Sequence, residues 1–211
     1  MIPFKNALCL VPSLFLLALP ARINAESLAL QSTPEISIFV YGFPGLSSWT
    51  VQSAESAAAD LLRPVGIRLK WLNCSFKAAP ARCYLPPHSS DLAIRFSRAV
   101  PSDDGRALGM AVPSQHAAIA FIFYDRVVAL QPSTSVLFAM LGRVLAHEII
   151  HLLLPQEKHS ALGLMRGDWA PDDLIFANPV CLRLTAKSIQ LLHREALRRT
   201  QTTNMQKAGG F

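Results

Sequence analysis

The sequence predicts an α+β domain, and three features of its 211 residues lead to that class. Residues 36–72 read as a strand, a helix and a second strand, which together have the length of a parallel crossover unit. Residues 92–97 alternate between large apolar and smaller or polar side chains, as in a half-buried strand. Residues 136–154 are apolar nearly all round, which is typical of a helix buried in a core.

The crossover unit is predicted first along the chain. Residues 36–41 are rich in β-branched and aromatic side chains, so they are expected to form a strand. A helix capped by Ser47 or Ser48 and ending near Arg63 follows, because apolar residues recur there at helical spacing and a proline and a glycine come directly after. Residues 67–72 then form the second strand.

The remaining elements follow from the same patterns. A glycine-bearing connection leads from the strand at residues 92–97 to a further apolar strand, and a proline and three hydroxyl residues signal the start of the apolar helix. Residues 155–182 show no regular pattern. The predicted elements in this half are strands at residues 92–97 and 117–124 and helices at residues 136–154 and 184–199.

The N-terminus is typical of a secretory signal. Residues 1–25 combine the basic Lys5, an apolar run too short to span a bilayer, and a small residue at Ala25, after which cleavage is expected. The sequence therefore predicts a secreted or periplasmic protein without a stable membrane anchor. Residues 26–211 are expected to form a single domain, and nothing in the sequence indicates its oligomeric state.

The charge balance gives no reason to expect a nucleic-acid partner. Loss of Lys5 and Arg22 with the signal leaves 18 basic and 14 acidic residues, so the net charge falls from +6 to +4. The remaining surplus lies partly near the C-terminus, where basic residues suit a helix dipole. No basic patch interleaved with aromatic residues accompanies it.

Export also decides how the four cysteines are interpreted. Cys9 leaves with the signal, and an oxidising compartment favours pairing among the other three. Cys74 and Cys83 flank a loop-like stretch, so we expect a local disulfide between them. Cys181 is then left over, and we interpret it as a buried, inert thiol.

The chemistry-bearing motif lies on the apolar helix. His147, Glu148 and His151 have the HExxH spacing, in which the two imidazoles share one helix face and the carboxylate lies beside them. Burying three such polar side chains unpaired costs several kcal/mol. A zinc ion satisfies all three, with Glu148 placed to act as general base.

A catalytic zinc ion needs a third protein ligand, and Glu157 and His159 are the two candidates. Neither reaches the metal if the helix continues. Pro155 lacks an N–H and disfavours helical geometry at Leu154, so the helix is expected to end there. The turn that follows can bring either side chain back to the metal.

The HExxH motif and the residues that follow it resemble a known family. An HExxH motif at residues 147–151, followed by His159-Ser160 and then Gly163-Leu164-Met165, is similar to the metzincin clan of zinc-dependent metallopeptidases, and more closely to its matrixin-like bacterial members. The resemblance implies a twisted mixed sheet with a crossover helix, an active-site helix and a C-terminal helix. It also implies that residues 117–124 form the sheet edge along which an extended peptide substrate pairs.

The same resemblance implies roles for individual residues. It makes His147, His151 and His159 the zinc ligands, Glu148 the general base and Met165 the residue of the methionine turn beneath the metal. The sequence departs from the family pattern in two places. Leu154 replaces the glycine of the family motif, and the third histidine follows His151 by eight residues, while the family spacing of six falls on Glu157.

The function that these features predict is a secreted or periplasmic zinc endopeptidase that acts on a protein or peptide substrate. Zinc lowers the pKa of water toward about 7, and Glu148 accepts the proton. A catalytically inactive, zinc-stabilised binding module of the same fold is the alternative. A structural protein without metal is the third hypothesis.

Overall fold

A five-stranded mixed sheet forms one layer of the protein in the computed structural model. The structure describes residues 33–75, 78–88, 90–98, 106–114, 118–130, 133–161, 163–167, 169 and 184–208. The strands, in chain order, are β1 Glu35–Tyr41, β2 Arg68–Asn73, β3 Leu92–Ser97, β4 Gly109–Val112 and β5 Ala118–Phe123. Their order across the sheet is β2-β1-β3-β5-β4, with every neighbouring pair parallel except β4 and β5, which are antiparallel.

Within the described residues, four α-helices pack with the sheet. They are α1 Ser48–Leu62, α2 Tyr124–Ala129, α3 Thr134–Leu153 and α4 Ala186–Ala208. The mixed sheet, the crossover helix α1, the apolar helix α3 and the C-terminal helix α4 confirm the predicted α+β class. The short helix α2 was not predicted, and α4 continues past the expected end near Arg199.

The first crossover is built as the sequence indicates. β1 and β2 lie parallel, with Ile36 beside Leu69 and Ile38 beside Trp71. Helix α1 connects them and gives way to a 3₁₀ turn at Arg63–Val65. Gly66 ends this turn at a φ of +72°, a left-handed conformation that side-chain-bearing residues rarely adopt.

Helix α3 lies in the centre of the core, packed on α1 and on the sheet. All residues from Met140 to Ile150 are buried. The close contact between α3 and α1 requires a glycine at position 142, because a Cβ placed there would lie 2.4 Å from the Cβ of Ala57 on α1. Helix α3 is long and apolar enough to span a membrane, but 72% of its most apolar stretch is buried inside the protein, as expected of a core helix.

The prediction of the sheet edge is wrong. Residues 117–124 were expected at the sheet edge, but β5 lies inside the sheet with β3 on one side and β4 on the other. The edge on this side of the sheet is β4, which falls in the stretch expected to be a glycine-bearing connection. Four residues are too few to show a clear period of two, so β4 is stabilised mainly by its antiparallel pairing with β5.

The expected disulfide between Cys74 and Cys83 is present. It closes the loop after β2, which also carries a 3₁₀ turn at Ala81–Tyr84. Arg82 in this turn forms an ion pair of 2.5 Å with the buried Asp91 and lies 4.9 Å above the ring of Phe39. The predicted signal segment at residues 1–25 and Cys181 lie outside the described residues.

Candidate metal centre

The C-terminal half of α3 carries His147, Glu148 and His151. His147 and Glu148 are buried, and His151 is half-buried at the mouth of a cavity. The helix ends at Leu153, and the N–H of Leu154 closes its last turn on the carbonyl of Ile150 at 2.7 Å. The helix therefore stops directly before Pro155, close to where the sequence predicts.

The chain then turns back toward the helix. The N–H of Glu157 donates to the carbonyl of Leu154 at 2.9 Å, which closes a tight turn around Pro155. This turn brings His159 to the two helical histidines. The Nε2 atoms are separated by 3.1 Å between His147 and His151, 3.1 Å between His151 and His159, and 3.3 Å between His147 and His159.

This triangle of nitrogen atoms fits a metal ion. Imidazole nitrogens bound to zinc at about 2.0–2.1 Å in tetrahedral geometry lie about 3.3 Å apart. The three Nε2 atoms have nearly that spacing, and no other group of three or more histidine, cysteine, aspartate or glutamate side chains converges in this way within the described part of the chain. Three neutral imidazoles are also a donor set that suits zinc.

His147 is oriented by the loop that follows the third histidine. Its Nδ1 lies 2.8 Å from the carbonyl oxygen of Leu164, and because a carbonyl only accepts, Nδ1 carries the proton. The Nε2 lone pair then points toward the other two histidines. Burial lowers the pKa of His147 to about 4, although the Leu164 hydrogen bond opposes the shift. His147 is therefore neutral, as a metal ligand must be.

Residues 160–166 form a closed loop beside the histidines. Ser160 forms a bridge with Arg166, and the N–H of Ser160 donates to the carbonyl of Met165 at 2.8 Å. Gly163 makes the reversal possible with a φ of +84°. Met165, expected in a methionine turn, is buried in the core at this loop.

Glu148 points from α3 toward the edge strand β4. The N–H of Ala111 donates a hydrogen bond to its carboxylate. A Cβ placed on Gly109 would lie 2.7 Å from Oε1 of Glu148, so the carboxyl group packs directly on the glycine backbone. Burial raises the pKa of Glu148 to about 8, and the Ala111 hydrogen bond opposes that shift only in part.

These groups line one cavity of about 560 Å³. Its walls come from the histidines and Glu148, from β4 and from the loop that ends at Gly167. Trp169 also borders the cavity and meets the ring of His147 edge to face at a centroid distance of 5.8 Å. The cavity therefore connects a possible metal position, a carboxyl group and the edge of a sheet.

Glu157, the alternative third ligand, is used elsewhere. Its carboxylate accepts a hydrogen bond of 2.8 Å from the buried Ser188 hydroxyl on α4. Thr185 supports Ser188 by accepting its backbone N–H at 3.0 Å. The structure thus brings His159, and not Glu157, to the two helical histidines.

Several groups around the centre were not found from the sequence. They are the Leu164 carbonyl, the glycines at positions 109 and 167, and the edge-to-face ring of Trp169. Backbone carbonyls and missing side chains leave no pattern in a single sequence. Trp169 follows Met165 by four residues along the chain, and this proximity is the signal in the sequence that could have pointed to it.

The fold is similar to that of a solved protein structure. An archaemetzincin from Methanopyrus kandleri superposes with a TM-score of 0.51 at 15% sequence identity, and the match covers 76% of this chain and 95% of that chain. At this identity the likeness concerns the fold. No protein-family model matches the sequence, and no curated protein matches it either.

Proposed function

We propose that this chain is a secreted or periplasmic zinc-dependent endopeptidase. The observation that carries the proposal is the triangle of His147, His151 and His159, with Glu148 bordering the same cavity. The archaemetzincin-like fold supports it as a second observation, because the metzincin resemblance of residues 147–165 depends on the sequence motif and not on the fold. The matrixin-like subtype rests on the His159-Ser160 pair and Met165, and export rests on residues 1–25.

The three histidines would hold the metal through their Nε2 atoms, and a zinc ion there would supply Lewis-acid chemistry that lowers the pKa of water and polarises a peptide carbonyl. Glu148 acts as general base: its carboxylate takes a proton from the attacking water and passes it to the leaving amine. No covalent bond forms between the chain and the substrate.

Strand β4 is the proposed binding edge for an extended peptide. The carbonyl of Leu108 accepts from the N–H of Phe123 on β5 at 2.9 Å. Because backbone groups alternate in an antiparallel pair, those of Gly109 and Ala111 point away from β5. A substrate strand can pair with the backbone of Gly109 and with the carbonyl of Ala111 beside Glu148, since the N–H of Ala111 already donates to Glu148. The proposed recognition edge is therefore β4, whereas the sequence alone suggested residues 117–124.

The rate of hydrolysis by the wild-type protein and by Glu148→Gln distinguishes an endopeptidase from a non-catalytic zinc-binding module. We expect the wild-type protein to cleave an unfolded protein such as casein, and Glu148→Gln to keep its zinc while losing about 10²–10⁴-fold in rate. Asp125→Asn is the matched control, because Asp125 is exposed on α2 and the change in charge is the same. A zinc-loaded wild-type protein that cleaves no unfolded substrate would support the binding module instead.

A further inference from the structure

The third ligand of the proposed centre lacks the support that the other ligands have. His159 is exposed, whereas His147 is buried and His151 half-buried on a rigid helix. Within the described part of the chain, no acceptor lies within hydrogen-bond distance of Nδ1 of His159, although Nδ1 of His147 has the Leu164 carbonyl. Among the described residues, the contact that can orient the His159 ring is therefore a steric one.

Gly167 touches the His159 ring. A Cβ placed on Gly167 would lie 2.6 Å from Nδ1, 2.7 Å from Cγ and 3.0 Å from Cβ of His159. These atoms form the root of the side chain and not its flexible end. The ring therefore rests on the bare backbone of Gly167, and its Nε2 atom points away from that contact toward His147 and His151.

We propose that Gly167 is a positioning residue for the third metal ligand, and that its missing side chain lets His159 complete the centre. The inference rests on the proposed function, because it takes His159 to be a zinc ligand. An ordinary van der Waals contact is about 3.4 Å or longer, so a Cβ at position 167 displaces the ring by several tenths of an ångström. Zinc–ligand distances tolerate shifts of only about 0.2 Å.

The closed loop explains why Gly167 lies beside His159. Ser160 and Arg166 form the bridge that closes residues 160–166, so the residue before the loop and the residue after it become neighbours. The same loop presents the Leu164 carbonyl to His147. A single closure therefore orients two of the three histidines, one by a hydrogen bond and the other by a steric contact.

The backbone at position 167 permits a clean test. Gly45, Gly66 and Gly163 have positive φ values, but Gly167 is not among the positive-φ glycines. An alanine at position 167 therefore adds a side-chain contact without forcing the backbone into a strained conformation. Ala161→Ser provides a matched control, because it adds one atom at an exposed position of the same loop.

Zinc affinity, measured by competition with a chromophoric chelator, tests the proposal. We expect Gly167→Ala to bind zinc about 10–100-fold more weakly than the wild type, the range found for residues that orient metal ligands. Ala161→Ser is expected to bind as the wild type does. The thermal unfolding midpoint of the zinc-free Gly167→Ala protein is expected to match that of the zinc-free wild type, since the substitution acts on the ligand and not on the core.

A double-mutant cycle shows whether Gly167 acts through His159. In the His159→Ala background, adding Gly167→Ala is expected to weaken zinc binding no further. Wild-type affinity in Gly167→Ala, or an additional loss in the His159→Ala background, overturns the positioning role while leaving the metal centre intact. Absence of zinc binding in the wild-type protein overturns the proposed function and the positioning role together.

Discussion

The carboxylate of Glu148 lies directly against the backbone of Gly109, so that even a methyl group at position 109 would come within 2.7 Å of Oε1. This contact joins the apolar helix α3 to the edge strand β4. The hydrogen bond from the Ala111 N–H reinforces it two residues further along β4. The proposed general base and the proposed peptide-binding edge are therefore held together by direct contact.

Gly109→Ala should weaken catalysis while leaving the metal in place. The added methyl group pushes the Glu148 carboxylate out of its position, because the three atoms nearest to it all belong to Glu148. We expect kcat/KM on an unfolded protein to fall at least about tenfold, as for a displaced general base, with zinc content unchanged. Met110→Ala, an exposed neighbour on β4, serves as the comparison for effects on the strand itself. Equal kcat/KM in wild type and Gly109→Ala would contradict the importance of this contact.

His159→Ala and Glu157→Ala should differ sharply in zinc affinity. His159 contributes an Nε2 atom to the triangle, so its removal should weaken zinc binding by more than about 100-fold. Glu157 binds Ser188 on α4, and its loss should cost less than about tenfold. Isothermal titration with zinc measures both. The reverse order would make Glu157 the third ligand.

Removal of the disulfide should destabilise the protein without affecting the metal centre. Cys74 and Cys83 are nine residues apart, and loop-closure entropy for a ring of that size corresponds to about 2–3 kcal/mol. The double variant Cys74→Ser, Cys83→Ser should lose about that free energy of unfolding in urea. Zinc affinity should remain within about twofold of the wild-type value, and a large loss of zinc would show that the loop supports the centre.

The buried Glu55 should make the stability of the zinc-free protein depend on pH. Burial raises its pKa from 4.5 to about 7, and a hydrogen bond from Asn73 opposes the shift only in part. Between these values the folded chain binds more protons than the unfolded chain, so stability falls as the pH rises from about 4.5 to 7, by about 3 kcal/mol in total.

Glu55→Gln removes this dependence, because an amide stays neutral. Urea unfolding of the zinc-free variant should give the wild-type stability at pH 5 and a higher stability than the wild type at pH 8, by about 1–3 kcal/mol. If the stabilities of the wild-type protein and of Glu55→Gln differ by the same amount at pH 5 and at pH 8, Glu55 does not titrate in this range.

Local periodicity in the sequence was enough to predict the strands that carry apolar alternation and the helix that carries the HExxH motif. Helix α3 begins at Thr134 and ends at Leu153, close to the predicted bounds, because a run of apolar residues and Pro155 mark it clearly. The disulfide could also be predicted from local sequence, because Cys74 and Cys83 flank one short loop.

Non-local contacts explain what the sequence did not reveal. The edge strand β4 has four residues, Gly109–Val112, and its place follows from pairing with β5 across the sheet. The contacts of Gly109 with Glu148 and of Gly167 with His159 depend on the absence of a side chain at a point where two distant segments meet. Neither a short strand nor a close approach leaves a periodic signal in the sequence.

Zinc bound per chain is the measurement that tests the central claim most directly. The purified protein, equilibrated with zinc and then dialysed, should contain about one zinc ion per chain by elemental analysis, as expected for a site of three histidines. The variant His147→Ala, His151→Ala should contain less than about a tenth of that amount. Equal zinc contents in the two proteins, or a wild-type protein without zinc, would contradict a metal centre at His147, His151 and His159.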